Sequence, residues 1–329
     1  MKRSILLFLF ITGFIVTGFS QNSKNEEFKP DGKPLALIFS NFNTKISDGN
    51  SISQFQIKRA YLGYEYKFSK NWSGKLVFDV GNPGVGKHQV AAFLKNAYFK
   101  YKARKFSAAF GMISTTQFKV SEKIWGYRYL LKSFQDQYKF NASADMGVKV
   151  AYKFANFVSA DFTVTNGEGY KKIEADSVLR FAFGTTLKPV KNITARVYVD
   201  LMGTDTKQQS LATLLAYKGA KFILAAEYNY QKNNKMKDGH DIYGVSLFAS
   251  YIPSNNVKIF ARYDRLQSST LKGETTAWHL AHDGQYLVAG VEFEPTKGVK
   301  LTPNIRNWTS DNSLKPNRLE LFINCQVKF

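Results

Sequence analysis

From about residue 34 onward the chain is written in short runs where apolar and polar side chains alternate. A period of two puts the two kinds of residue on opposite faces of a β-strand. The end of the chain shows it most clearly. Leu319, Leu321, Ile323, Cys325, Val327 and Phe329 share one face; Glu320, Phe322, Asn324, Gln326 and Lys328 share the other, polar but for the one ring. The alternation predicts sixteen strands, near residues 34–43, 54–68, 72–81, 91–102, 105–113, 145–154, 157–166, 178–188, 193–203, 210–218, 221–231, 241–252, 256–265, 285–295, 299–307 and 318–329. Each run is rich in aromatic or β-branched residues and is bounded by turn residues.

The connections carry as much information as the runs. Every second one is short: 69–71, 103–104, 155–156, 189–192, 219–220, 253–255 and 296–298. Those between are mostly longer and polar, such as 44–53, 82–90, 167–177 and 266–284. This rhythm predicts an all-β fold, a transmembrane up-and-down antiparallel β-barrel of about 16 strands with short periplasmic turns and longer outer loops. Greek-key crossovers in a sandwich give no reason for it. Aromatic side chains on the outward parity gather beside the short turns (Tyr64, Tyr66, Phe68, Trp72, Phe99, Tyr101, Phe106, Tyr152, Phe154, Tyr251 and Phe293), where a membrane barrel carries an interfacial girdle.

The beginning of the chain fits that destination. Lys2 and Arg3 precede an apolar run over 5–19, and Gly18 and Ser20 stand at a cleavage position, so residues 1–20 read as a signal peptide. Residues 21–329 are then a single outer-membrane barrel domain. No cysteine stands at the cleavage position, which argues against a lipoprotein, and no later stretch approaches the roughly 20 apolar residues of a membrane helix. The expected location is the bacterial outer membrane, with lipid and lipopolysaccharide around the barrel. The terminal Phe329 is the residue the barrel assembly machinery would read.

The charge is strongly basic. The formal value of +21 becomes +19 without Lys2 and Arg3, which points to anionic partners. Export and the even spread of the cations argue against nucleic acid. Inward parity nominates Arg59, Lys75, Lys100, Arg180, Arg196, Arg262 and Arg306 as pore-lining residues, interspersed with acids such as Asp79, Asp161 and Asp264. The longest connection, the third outer loop at about 114–143, is expected to fold toward the lumen as a constriction. Trp125, Tyr127, Tyr129, Leu130, Leu131 and Phe134 suit a packed segment, and Lys119, Lys123, Arg128 and Lys132 would set its field. Cations at a narrow point favour anions, because low-dielectric walls strengthen each charge.

Catalytic chemistry finds little support. The four histidines, His88, His240, His279 and His282, all fall in outer loops, and His279 with His282 and Asp283 lacks a further ligand cluster for a metal. No residue is singled out as catalytic, no metal site is expected and no cofactor is called for. Two other readings remain at this stage, a plugged structural or adhesive barrel and a barrel hydrolase.

Several segments resemble the phosphate-selective porin family (O and P type). Phe55-Gln56-Ile57-Lys58-Arg59-Ala60-Tyr61-Leu62-Gly63, followed by Asn71-Trp72 and a strand ending in Asp79, is similar to an early hairpin of that family. Asn96-Ala97-Tyr98-Phe99-Lys100-Tyr101, Phe110-Gly111-Met112, Ala261-Arg262-Tyr263-Asp264-Arg265-Leu266 and Thr302-Pro303-Asn304-Ile305-Arg306 continue the series in order. The resemblance implies a sixteen-stranded porin, usually a homotrimer, that lets small solutes diffuse passively with a preference for anions, phosphate among them. Two features depart from it. Residues 111–123 hold no proline, and beyond residue 20 there are nine arginines against 35 lysines. Lysine meets phosphate as a point charge, without arginine's bidentate fork.

Overall fold

The computed structural model describes residues 28–82 and 90–329; the expected signal peptide and His88 lie outside the described residues. Residues 31–329 form one compact unit. It holds sixteen strands: β1 (Asp31–Ser47), β2 (Asn50–Lys67), β3 (Trp72–Gly81), β4 (Ala91–Ala103), β5 (Phe106–Ser114), β6 (Ala144–Lys153), β7 (Val158–Thr165), β8 (Arg180–Leu187), β9 (Ile193–Met202), β10 (Gln208–Lys218), β11 (Phe222–Lys232), β12 (Ile242–Ser254), β13 (Val257–Ser268), β14 (Gly284–Thr296), β15 (Val299–Ser310) and β16 (Arg318–Lys328). Each pairs antiparallel with its sequence neighbours, and β1 closes on β16 from Leu37↔Lys328 to Ile46↔Leu319. Closure leaves no strand edge, which in lipid would strand polar backbone groups at several kcal/mol each.

The alternation survives in three dimensions. Leu319, Leu321 and Ile323 point outward and exposed, while Glu320, Phe322 and Asn324 are buried inside. Outward rings near the periplasmic turns touch one another: Tyr66 meets Tyr64 and Phe68, Trp72 meets Phe99 and Tyr101, Tyr101 meets Phe106, and Tyr152 meets Phe154. They form a girdle across β2–β6, with Phe222 stacked on Tyr251 further round.

One connection differs from its expectation. The region 44–53 is strand, not a long polar loop. β1 and β2 run on to a two-residue turn at Asp48 and Gly49, with φ of +51° and +72°. Two positive φ values in succession are what a type I′ hairpin requires, and Asp-Gly is a favoured dipeptide for it.

The third outer loop, L3 (115–143), carries two short helices, α1 (Lys119–Trp125) and α2 (Phe134–Gln137). α1 ends at Gly126 in the left-handed region (φ +75°), its N–H donating to the Glu122 carbonyl. L3 buries its rings against the inner wall. Trp125, Tyr127, Leu130 and Leu131 pack with Leu214 and Ala216 of β10, Ile223 and Ala225 of β11, Phe248 of β12, Phe260 of β13 and Val288 of β14. Phe134 packs with Phe140, Ile242 and Leu266, and Gly244 makes room for it: a Cβ there would lie 2.5 Å from the Phe134 ring. Each such ring contributes about 1.5–3 kcal/mol by burial.

Polar ties fix the same docking. Arg262 donates to the Lys132 carbonyl at 2.7 Å, Arg196 to the Thr116 carbonyl at 3.0 Å, and Gln231 to the Phe140 carbonyl at 2.8 Å. The Tyr127 hydroxyl donates to Ser250 Oγ at 3.1 Å and the Tyr129 hydroxyl to Glu292 Oε2 at 2.8 Å.

Candidate functional site

L3 covers the inner faces of β10–β14. Between it and β1, β2, β15 and β16 lies a cavity of about 340 Å³. Its charged lining is Lys45, Lys58, Arg59, Arg128, Lys132, Arg306 and Arg318 against the single carboxylate of Glu320. Three more carboxylates stand just behind. Asp79 lies 3.1 Å from Arg59; Glu122 and Asp136 lie 3.0 and 3.1 Å from Arg128, and Lys132 is 2.8 Å from Asp136. Seven cations against these four carboxylates leave an excess of three positive charges.

One β-bulge accounts for part of that excess, and a second places a further cation close by. In β2, Arg59 pairs with Phe39 and Ile57 with Ser40, so Lys58 is an extra residue. In β4, Asn96 pairs with Val77 and Leu94 with Phe78, so Lys95 is extra in the same way. A bulge turns two successive side chains toward one side and re-aims the strand. Lys58 therefore joins Arg59 at the cavity, and Lys95 reaches the Tyr61 hydroxyl at 3.1 Å.

L3 carries its own electrostatics. Lys119 is open to the lumen, yet desolvation by the wall crowded around it pushes it below the ordinary lysine value, and Lys75 and Lys100 push it further. Burial also lowers Lys132, although Asp136 opposes the shift. For Asp136, burial works upward, but Arg128 and Lys132 outweigh it and hold the carboxyl below its usual range.

The residues nominated from sequence separate into groups. Arg59, Arg306, Arg128 and Lys132 meet at the cavity. Arg306 is held by Asn304 Oδ1 and Asn324 Oδ1, both at 2.8 Å, with its guanidinium 3.7 Å from the Phe322 ring centre. Lys75, 3.6 Å from Glu65, and Lys100 face the exposed Lys119 of α1, whose neighbour along the helix is Lys123. Arg180, Arg196 and Arg262 are also inward but buried. Arg180 pairs with Asp200 at 3.1 Å and Arg196 with Asp161 at 2.8 Å; Arg262 grips Asp264 at 2.7 Å, 2 % exposed beneath L3 and 5.0 Å from the Trp125 ring. These three meet the wall, and Arg196 and Arg262 also meet L3; none lines the cavity.

Some contributors were not singled out from sequence. Lys58 and Lys95 were hidden because bulges break parity, yet a signal exists: the outward apolar residues of β2 switch from odd numbers (Phe55, Ile57) to even (Leu62, Tyr64) across Lys58-Arg59. The fourth outer loop, L4 (166–179), also reaches inward, its Tyr170 hydroxyl donating to Asp79 Oδ2 at 2.5 Å. Among the histidines, His279 Nδ1 lies 3.3 Å from Asp283 Oδ1, and the His279 and His282 rings are 4.8 Å apart.

No family model and no curated protein matches the chain. Solved structures do. A high-pH structure of Pseudomonas putida OprB superposes with a TM-score of 0.69 at 8% identity, over 91% of this chain and 94% of that one. An anion-selective porin from Comamonas acidovorans gives 0.66 at 9% identity, over 92% and 100%. In-vitro folded OmpT of Vibrio cholerae, in a trimer form, gives 0.58 at 13% identity, over 91% and 99%. The likeness is one of fold: a closed sixteen-stranded barrel of the porin type. That fold and its apolar, ring-edged outer face put the chain in the bacterial outer membrane.

Proposed function

We propose that this barrel is a porin through which small solutes diffuse passively, with a preference for anions. The observation that carries the reading is the cavity beside L3, where seven cations face one lining carboxylate. Cations on a low-dielectric wall raise the local concentration of anions and repel cations. Four of the nine arginines beyond residue 20 stand at this one cavity, Arg59, Arg128, Arg306 and Arg318. Their forks are already engaged by Asp79, Asp136, Asn324 and Glu320. Selectivity on this reading comes from the summed field, not from bidentate grip, so phosphate is met through its charge and not through a dedicated fork. Lys119 and Lys123 extend the field along α1, with Lys75 and Lys100 opposite.

The protein acts without a catalytic residue, as an assembly of the homotrimeric kind that the trimer form of Vibrio cholerae OmpT exemplifies. The exposed ring of Phe329 serves as the mark for the assembly machinery. The test is the reversal potential of refolded protein in a planar bilayer under a KCl gradient, repeated with potassium phosphate. An anion-selective potential in both salts supports the reading. Folded protein without channels would mean a plugged barrel, and cation selectivity would refute the assignment of the filter.

A further inference from the structure

L4 has no counterpart in the sequence-based picture, where only the third loop narrows the lumen. Its first residues run back along β6. The Asn166 N–H donates to the Met146 carbonyl and the Tyr170 N–H to the Ala144 carbonyl, both at 3.0 Å; the Gly167 N–H donates to Asp145 Oδ2 at 2.7 Å. This path brings the Tyr170 ring inward until its hydroxyl meets Asp79, the buried carboxylate that also pairs with Arg59.

Around this latch several cations rest on aromatic rings. Lys95, delivered by its bulge, has its ammonium 4.5 Å from the Tyr61 ring centre and 5.6 Å from that of Tyr170. Lys171, the next residue of L4, lies 4.2 Å from the Phe93 ring centre. Arg59 shares the Tyr61 hydroxyl with Lys95, at 3.0 Å. A ring face offsets a cation's charge only in part, whereas a carboxylate cancels it. The group also faces L3. Lys171 is open to the lumen, but partial desolvation first and Arg59 next push it below its ordinary value; Asp79 opposes them, and Lys132 and Lys95 add to the shift. Cations from L3 and from L4 thus converge on one space.

We propose that L4 is a second arm of the filter: Lys95 and Lys171, positioned by the Tyr170–Asp79 hydrogen bond, join Arg59, Arg128 and Lys132 in a station that binds divalent oxyanions. The inference rests on the anion-pore reading above. Doubling the charge of the solute doubles its Coulomb attraction to every cation of the station, so a divalent ion dwells where chloride passes. The sulfate ion is a suitable probe, since it is divalent at all working pH values.

The experiment measures block of chloride current by sulfate in planar bilayers. Wild-type protein is expected to be blocked. In K95Q/K171Q the half-blocking concentration should rise by about tenfold or more, the loss of two close charges in a partly desolvated site. Y170F keeps every charge and the ring but frees the latch. It should raise the half-blocking concentration while the chloride reversal potential keeps its anion-selective sign, which separates positioning from charge. Anion-selective protein whose variants are blocked like wild type would overturn the role of L4 and leave the pore reading intact. Wild-type protein without anion-selective current would remove the pore reading itself. If Y170F does not fold, the lysine pair alone decides.

Discussion

Replacing Trp125 by alanine should free L3 from the wall without unfolding the barrel. The indole is 1 % exposed, touches Phe248 and Phe260 with ring centres 5.2 and 5.9 Å away, and donates from Nε1 to the Leu131 carbonyl at 2.9 Å. Truncating a buried aromatic of this size costs about 3–5 kcal/mol. The lost Arg262–indole contact, 5.0 Å from guanidinium to ring, adds about 1 kcal/mol. A total near 5 kcal/mol lowers the docked-to-free ratio of L3 by about four thousandfold. Trp125 contributes nothing to the strand ladders, so the loss stays local. Single-channel recording should show larger and noisier conductance, and limited proteolysis should cut within 115–143 while the barrel keeps its folded, heat-modifiable gel mobility. A folded variant with wild-type conductance and a protected L3 would refute the claim that this ring anchors the loop.

Other outcomes follow from the same geometry. Gly244→Val drives a side chain into the Arg265 carbonyl of β13 and into the Phe134 ring, and should loosen the β12–β13 pairing there and expose the α2 half of L3 to protease more than the α1 half. Lys58→Glu lowers the positive excess at the cavity from three to one, and should move the KCl reversal potential toward zero; Lys67→Glu, at the periplasmic end of the same strand, should move it much less. Replacing Lys119, Lys123, Arg128 and Lys132 together by Glu should carry the channel to cation preference. Because Lys119 sits below the ordinary lysine value, its ammonium is present at low pH and is lost as pH rises, before a fully hydrated lysine would lose its own. Anion selectivity should therefore begin to decline at a lower pH than the titration of a fully hydrated lysine would give, and K119Q should flatten that profile.

The strands were legible because a membrane barrel writes each one as a period-two pattern, and the outward parity of β16 reads off directly as Leu319, Leu321 and Ile323. L3 was legible too, since six large apolar residues in one outer loop have no use in water. Asp48-Gly49 shows a local signal overridden by the polar residues around it. The fate of the arginines was not legible. Whether an inward Arg262 faces solvent depends on which wall L3 covers, and that is settled by contacts between residues more than a hundred positions apart, such as Phe134 against Gly244. Lys58 and Lys95 were concealed for a different reason: parity arguments assume an unbroken strand.

Those two extra lysines bear on how such a barrel can change its selectivity over time. A residue inserted into an ordinary strand flips every side chain beyond it, sending charges into lipid and apolar groups into water. A bulge confines the insertion to one position, so the lipid-facing pattern resumes intact on either side. Inward substitution trades one lining residue for another, but insertion adds a charge and removes none. Lineages of such barrels can therefore count their lumen charge upward or downward one residue at a time, by gain or loss of single codons, while the surface that meets the membrane stays unaltered.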